Sequence, residues 1–231
     1  NSGGTSIPTA TSASYSPNVT TAGTFYYYVV ATSDCSFATS NAVTVTVNPN
    51  TSITTQPAGF TVCAGGSGVI STTATGTGTV TYQWFSNTTN TNSGGTSIPT
   101  ATSASYSPSV TTAGTYYYYV VATSSCSSAT SNAVTVTVNP NTSITTQPVG
   151  FTVCAGGSGV ISTTATGTGT VTYQWYSNTT NTNSGGTSIG SATSASYSPG
   201  VTTAGTYYYY VVATSSCSSA TSNAVTVTVN P

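Results

Sequence analysis

Residues 80–86 read VTYQWFS and residues 111–125 read TTAGTYYYYVVATSS. Both are short runs of β-branched and aromatic residues, with Gly76-Thr77-Gly78 ahead of the first and Asn92-Ser93-Gly94-Gly95 between the two. That is strand composition punctuated by turn-formers. Working outward, the same signal predicts strands over 52–55, 60–62, 68–75, 79–86, 103–107, 115–123 and 133–138. No segment carries a helical period. About seven short strands within ~90 residues predict an all-β fold, an antiparallel sandwich.

The unit recurs along the chain. NSGGTSI opens at Asn1, Asn92 and Asn183, a constant spacing of 91 residues (92 − 1 and 183 − 92). Few positions differ between copies, among them Phe25/Tyr116/Tyr207, Asp34/Ser125/Ser216 and Phe85/Tyr176. A period of ~20–50 residues implies a solenoid whose units need one another, whereas this longer unit is enough for a self-contained small domain. The organisation expected is therefore a tandem array: the second half of a unit over 1–49, and complete units over 50–140 and 141–231. The chain reads as a window on a longer array. Residues 1–49 supply strands for only part of a sandwich, so Tyr28 and Val30 are expected to face water.

Composition removes whole classes of function. Among 231 residues there is no Lys, Arg, His, Glu or Met, and Asp34 is the sole acidic residue. General acid–base catalysis needs a group that titrates near the working pH, which argues against an enzyme. A lone carboxylate and scattered cysteines offer no metal site, no cofactor is implied, and phosphate backbones have no cation to bind. No apolar run reaches the ~18–20 residues of a membrane span. Near-zero charge removes the electrostatic barrier between copies, so self-association is expected. Five cysteines among Ser-, Thr- and Asn-rich loops point to an oxidising, extracellular or cell-surface setting. Folding is expected to be indifferent to pH between ~4 and 9.

The succession GGSGVISTTATG (65–76), VTYQWFS (80–86), TTAGTYYYYVVATSS (111–125) and SNAVTVTVNP (131–140) resembles strands B, C, F and G of an immunoglobulin-like domain. Trp84 and Trp175 stand where that fold keeps its strand C tryptophan, and Gly114-Thr115-Tyr116 resembles the tyrosine corner. The wording of the repeat is similar to tandem Ig-like repeats of giant secreted surface and adhesin proteins of Bacteroidetes-type gliding bacteria. The resemblance implies that Trp84, Trp175, Tyr118 and Tyr209 are core residues. Alternation then turns Tyr117, Tyr119 and Phe85 outward, with Tyr208, Tyr210 and Tyr176 in the next copy. Three readings of those rings stay open: plain cross-strand pairing, lateral packing between chains, or stacking on sugars.

The resemblance also bears on the cysteines. The usual inter-sheet disulfide positions read Thr73 and Tyr118. Cys63 and Cys154 fall in the A-to-B turn, and Cys126 and Cys217 in the F-to-G hairpin, at opposite ends of an Ig-like sandwich and ~25 Å apart. A disulfide needs Cα atoms within ~7 Å. Head-to-tail stacking would join Cys63 to Cys217 and leave Cys35, Cys126 and Cys154 unpaired within this window, Cys35 and Cys154 for neighbours outside it. An intradomain bridge from Cys63 to Cys126 and free thiols are the alternatives. The function expected is a non-enzymatic spacer in an extracellular filament, stalk or adhesin, whose partner is the chain itself. The alternative is a module contacting polysaccharide through exposed tyrosines.

Overall fold

The computed structural model describes residues 2–231; Asn1, where the first copy of the repeat opens, lies outside them. Among these residues the regular elements are all strands. The first copy supplies β1 (Gly23–Tyr27), β2 (Val30–Thr32), β3 (Phe37–Thr39) and β4 (Val43–Val47). The second supplies β5 (Ser52–Thr55), β6 (Phe60–Cys63), β7 (Ile70–Ser71), β8 (Thr73–Thr75), β9 (Thr81–Asn87), β10 (Thr96–Ser97), β11 (Ser105–Tyr106), β12 (Gly114–Thr123), β13 (Ser128–Thr130) and β14 (Val134–Asn139). The third supplies β15 (Ser143–Thr146), β16 (Phe151–Cys154), β17 (Ile161–Ser162), β18 (Thr164–Thr166), β19 (Thr172–Asn178), β20 (Thr187–Ser188), β21 (Ser196–Tyr197), β22 (Gly205–Thr214), β23 (Ser219–Thr221) and β24 (Val225–Asn230).

The chain packs as two compact units. One holds the residues up to Ala58, Ser71–Tyr106 and Tyr118–Val134; the other holds Gly59–Ile70, Ser107–Tyr117 and Thr135–Pro231. The whole third copy lies in the second unit, so its sandwich can be read there complete. One sheet runs β16-β24-β22-β19-β20, with β23 also on β22, and the facing strands pair as β15-β18 and β17-β21. In immunoglobulin terms these are A′-G-F-C-C′ against A-B-E. The pairing of β16 with β24 is parallel, whereas β19 and β24 each run antiparallel to β22. The second copy repeats the order β10-β9-β12-β14-β6 with β5-β8 and β11-β7.

The strand period explains the core. On β24, Val225, Val227 and Val229 are buried while the threonines between them are half-exposed, which is the alternation a VTVTV run dictates when one face is covered. Val225 and Val227 meet Ile161, Trp175, Tyr209 and Val211 in one cluster, with Tyr197 and Tyr207 packed against it. Trp175 is fully buried, and its indole Nε1 donates to the Ser194 carbonyl oxygen at 2.9 Å. Trp84 is buried likewise and donates to Ser103 at 2.9 Å. The Tyr207 hydroxyl donates to the Thr203 carbonyl at 2.9 Å, four residues back, closing the tyrosine corner. Ser222 is buried between β23 and β24. Its hydroxyl accepts from Val211 N at 3.0 Å and donates to the Asn223 carbonyl at 2.9 Å, so its burial leaves no orphaned polar group.

Residues 2–49 contrast with this. β1 pairs with β4 and β2 with β3, and no residue of this stretch is fully covered. Tyr26 is 69% and Phe37 75% exposed. Val30 faces solvent, while Tyr28 is half-covered and its hydroxyl accepts from Gly4 N at 3.2 Å. Two-stranded ribbons are marginal on their own, because they have little apolar area to offset chain entropy. Chymotrypsin is therefore expected to cut first between Phe25 and Phe37, leaving the remainder resistant. Equal protection of this stretch and of 143–230 in a timed digest would contradict it.

Candidate functional site, the cysteine-bearing repeat junction

The side chains with the most distinctive chemistry converge where the second copy of the repeat gives way to the third. Cys63 closes β6 beside the turn Ala64-Gly65-Gly66. That turn is held by Ala64 N donating to the Asn139 carbonyl at 2.9 Å, Gly66 N to the Cys63 carbonyl at 2.8 Å and Gly65 N to the Val110 carbonyl at 3.2 Å. Gly65 sits at φ +82°, a left-handed conformation that glycine adopts without a Cβ clash. Cys217 tips the hairpin between β22 and β23. Its neighbours are pinned: Thr142 N donates to the Ser218 hydroxyl at 2.8 Å, Thr142 Oγ1 donates to the Ser218 carbonyl, and the Thr142 and Ser215 hydroxyls share a hydrogen at 2.8 Å. The Ser216 hydroxyl donates to the Thr168 carbonyl at 2.7 Å.

Cys63 and Cys217 are joined by a disulfide, with their Cα atoms 5.4 Å apart across a sequence separation of 154. The linker between the copies is bonded on both sides of it. Asn141 Nδ2 donates to the Ala64 carbonyl at 3.1 Å, and the Pro140 carbonyl accepts from Thr168 Oγ1 at 2.8 Å. Proline fixes φ at that step and the flanking residues are tied to opposite neighbours, so the junction has little backbone freedom left. Cys35, Cys126 and Cys154 are free and exposed.

The aromatic surface departs from the sequence expectation. Tyr119 and Tyr210, expected to face outward as interface residues, are only 5% exposed. Their rings do leave the core face, but other groups cover them. Tyr210 stands opposite Tyr176 in the ladder and the two rings stack with centroids 5.0 Å apart and planes within 2°; Phe85 and Tyr119 do the same at 4.9 Å. The loop after Gly185 then folds over the ring, with Gly186 N donating to the Tyr210 hydroxyl at 3.2 Å. A Cβ on Gly186 would lie 2.9 Å from the ring, so only glycine lets the loop lie so close. Phe85, Tyr176, Tyr117 and Tyr208 are half-buried. Tyr118 and Tyr209 are buried as expected of core residues, each edge-on to a neighbouring tyrosine, Tyr106 and Tyr197 respectively.

A concavity of about 260 Å³ beside the Cys63 turn is lined by Gly65, Gly66, Ser67, Ser107, Pro108 and Val110, among others. It presents hydroxyls and backbone groups and no acid or base. Among the described residues no three His, Cys, Asp or Glu side chains gather to hold a metal, and no helix is long and apolar enough to cross a membrane.

Burial pushes the Tyr209 phenol up to about 12, with smaller contributions from Tyr197 and Tyr207, and burial also raises Tyr106. Below pH ~10 the phenol keeps its proton in both the folded and unfolded chain, so this contribution to stability is complete there. Between pH ~10 and ~12 the unfolded chain alone ionises, and stability falls as pH rises. Thermal midpoints should thus coincide from pH ~5 to ~9 and drop above ~10. A flat profile through pH ~12 would contradict the burial of Tyr209.

Similarity to known proteins agrees with this architecture. No curated protein matches the chain. A three-Ig fragment of titin carrying Glu-to-Ala changes is 15% identical over 78% of the chain and 65% of its own length, with a TM-score of 0.50. An I-band fragment of titin gives 15%, 80%, 66% and 0.50, so the chain spans just under two thirds of either titin fragment. The first two Ig domains of DIP-gamma are 13% identical over 79% of the chain and 99% of their own length, also at 0.50. At these identities the likeness shows the fold: tandem immunoglobulin-like β-sandwiches. A family model described as a domain of unknown function, DUF8696, matches residues 1–49, 52–140 and 143–231 in succession, and the chain belongs to that family.

Proposed function

We propose that the chain is a non-enzymatic, extracellular spacer: a run of Ig-like repeats, bounded near 50–140 and 141–231, within a stalk, filament or surface adhesin. The observation that carries this reading is the Cys63–Cys217 bond. A load travelling along the covalent chain can pass from Cys63 directly to Cys217, so the residues between them, a sequence separation of 154, are bypassed. The strands outside the bypass are β1 to β5 and most of β6 at one end and β23 and β24 at the other. A spacer that must keep its length gains from such a shortcut, because unfolding within the bypass cannot lengthen it. Chemical poverty supports the same reading: a surface of Thr, Ser and Asn hydroxyls and amides offers solvation without reactivity.

The placement among giant secreted surface proteins rests on the wording of the repeat, and the exterior location on its cysteines. The polysaccharide-contacting alternative needs open rings, and Tyr119 and Tyr210 are covered. Cell fractionation tests the proposal. The chain should be recovered from the cell exterior with Cys63 and Cys217 linked in a non-reducing chymotryptic map; trypsin has no site here. Recovery of the reduced chain from the cytosol would overturn it.

A further inference from the structure

We infer that Cys154 is a second junction cysteine whose partner is the hairpin cysteine of a further copy of this repeat, so that copies of the repeat join covalently, turn to hairpin. The inference rests on the spacer reading and goes beyond it by naming a partner and a bond.

The geometry of the bonded turn repeats one copy later. Cys154 follows Cys63 by one repeat (154 − 63 = 91), and the structure gives it the same setting. Each ends a strand paired in parallel with strand G, Cys63 opposite Asn139 and Cys154 opposite Asn230. Each carbonyl accepts from the glycine three residues on, Gly66 N to Cys63 and Gly157 N to Cys154, both at 2.8 Å. Gly156 repeats the positive φ of Gly65, +78° against +82°. The turn seen bonded at Cys63 is therefore built again at Cys154, where the thiol is exposed and free.

The other half of the bond is also present unused. Cys126 sits in the second copy's hairpin between β12 and β13, the counterpart of the one that carries Cys217, and each backbone N–H donates to a hydroxyl two residues back, of Ser124 and Ser215 respectively, at 3.4 Å. The Cys126 hairpin is clasped as the bonded one is: Thr51 N donates to the Ser127 hydroxyl and the Ser125 hydroxyl to the Thr77 carbonyl, at 2.8 and 2.7 Å. Cys35 occupies the corresponding hairpin of the first copy, where Ser33 N donates to the Ser36 carbonyl at 2.9 Å. Turn cysteines and hairpin cysteines are thus complementary, and one free turn cysteine and two free hairpin cysteines lie exposed among the described residues. With no Lys, Arg, His or Glu in the chain, little charge repulsion opposes the approach of two copies.

The chemistry balances with a low-molecular-weight disulfide, such as oxidised glutathione, as oxidant. A hairpin thiolate attacks it, forming a mixed disulfide and releasing one small thiol. The Cys154 thiolate of the second copy then attacks the protein sulfur of that mixed disulfide and expels the other small thiol. Two protein thiols lose two protons and two electrons, and one small disulfide becomes two thiols.

The test is a glutathione redox titration of the full 231-residue chain, read by non-reducing electrophoresis and chymotryptic mapping. Dimers and longer species should form that reductant dissolves, with Cys154 linked to Cys35 or Cys126. Cys154→Ser should abolish them while the Cys63–Cys217 peptide persists, and Cys35→Ser and Cys126→Ser identify the hairpin used. Three thiols that stay free in the oxidised wild type, or oligomers that survive Cys154→Ser, would overturn the inference. Either result with the Cys63–Cys217 peptide intact leaves the spacer reading standing; loss of that peptide from the wild type would instead defeat the spacer reading.

Discussion

Trp175→Ala should destabilise the third repeat by about 3–5 kcal/mol, a large share of what holds a small domain together. The indole is fully buried, packed among Ile161, Tyr209, Val211, Val225 and Val227, with Tyr197 tilted against it at 6.1 Å. Truncation removes most of these contacts and opens a cavity between the two sheets that the surrounding side chains fill only in part. It also strands the Ser194 carbonyl, which now accepts from Nε1. Urea unfolding followed by tyrosine fluorescence would read the change, with Trp175→Phe expected to recover part of the loss. A wild-type midpoint in Trp175→Ala would mean that β19 does not face this core.

The second large effect belongs to the disulfide. Cys217→Ser should lower stability by about 2–4 kcal/mol, because the bond restrains a loop of 154 residues in the unfolded chain. Reductant should lower the wild type by the same amount and leave the variant unmoved, which separates loss of the bond from damage to the hairpin. Cys154→Ser in the monomer serves as the control and should stay within about 0.5 kcal/mol. Equal midpoints for wild type and Cys217→Ser would mean that the bond contributes nothing to the folded state.

Much of the fold was legible because the strands advertise themselves. VTYQWFS and GTYYYYVVAT became β9 and β12 nearly residue for residue, since long β-branched and aromatic runs have no competing structure. Two kinds of feature were not legible. β10 and β13, two and three residues of Thr, Ser and Ala, exist only because longer neighbours pair with them. The single run expected over 68–75 divides into β7 and β8 at Thr72, whose buried hydroxyl donates to the Thr55 carbonyl at 2.7 Å where the β5–β8 register shifts. Tyr119 and Tyr210 show the limit of alternation as a guide to exposure. Period two gives the direction of a side chain, but the glycine loop that covers Tyr210 arrives from 24 residues away and has no signal in the strand itself.

Single-molecule force–extension of the chain, held at its two ends, tests the account most directly. With the disulfide intact the residues between Cys63 and Cys217, a sequence separation of 154, cannot contribute length, whether or not their strands unfold. Reductant should therefore release about 510–550 Å of additional contour, at 3.3–3.6 Å per residue. The same total contour length with and without reductant would contradict the claim that this bond bypasses the repeat junction.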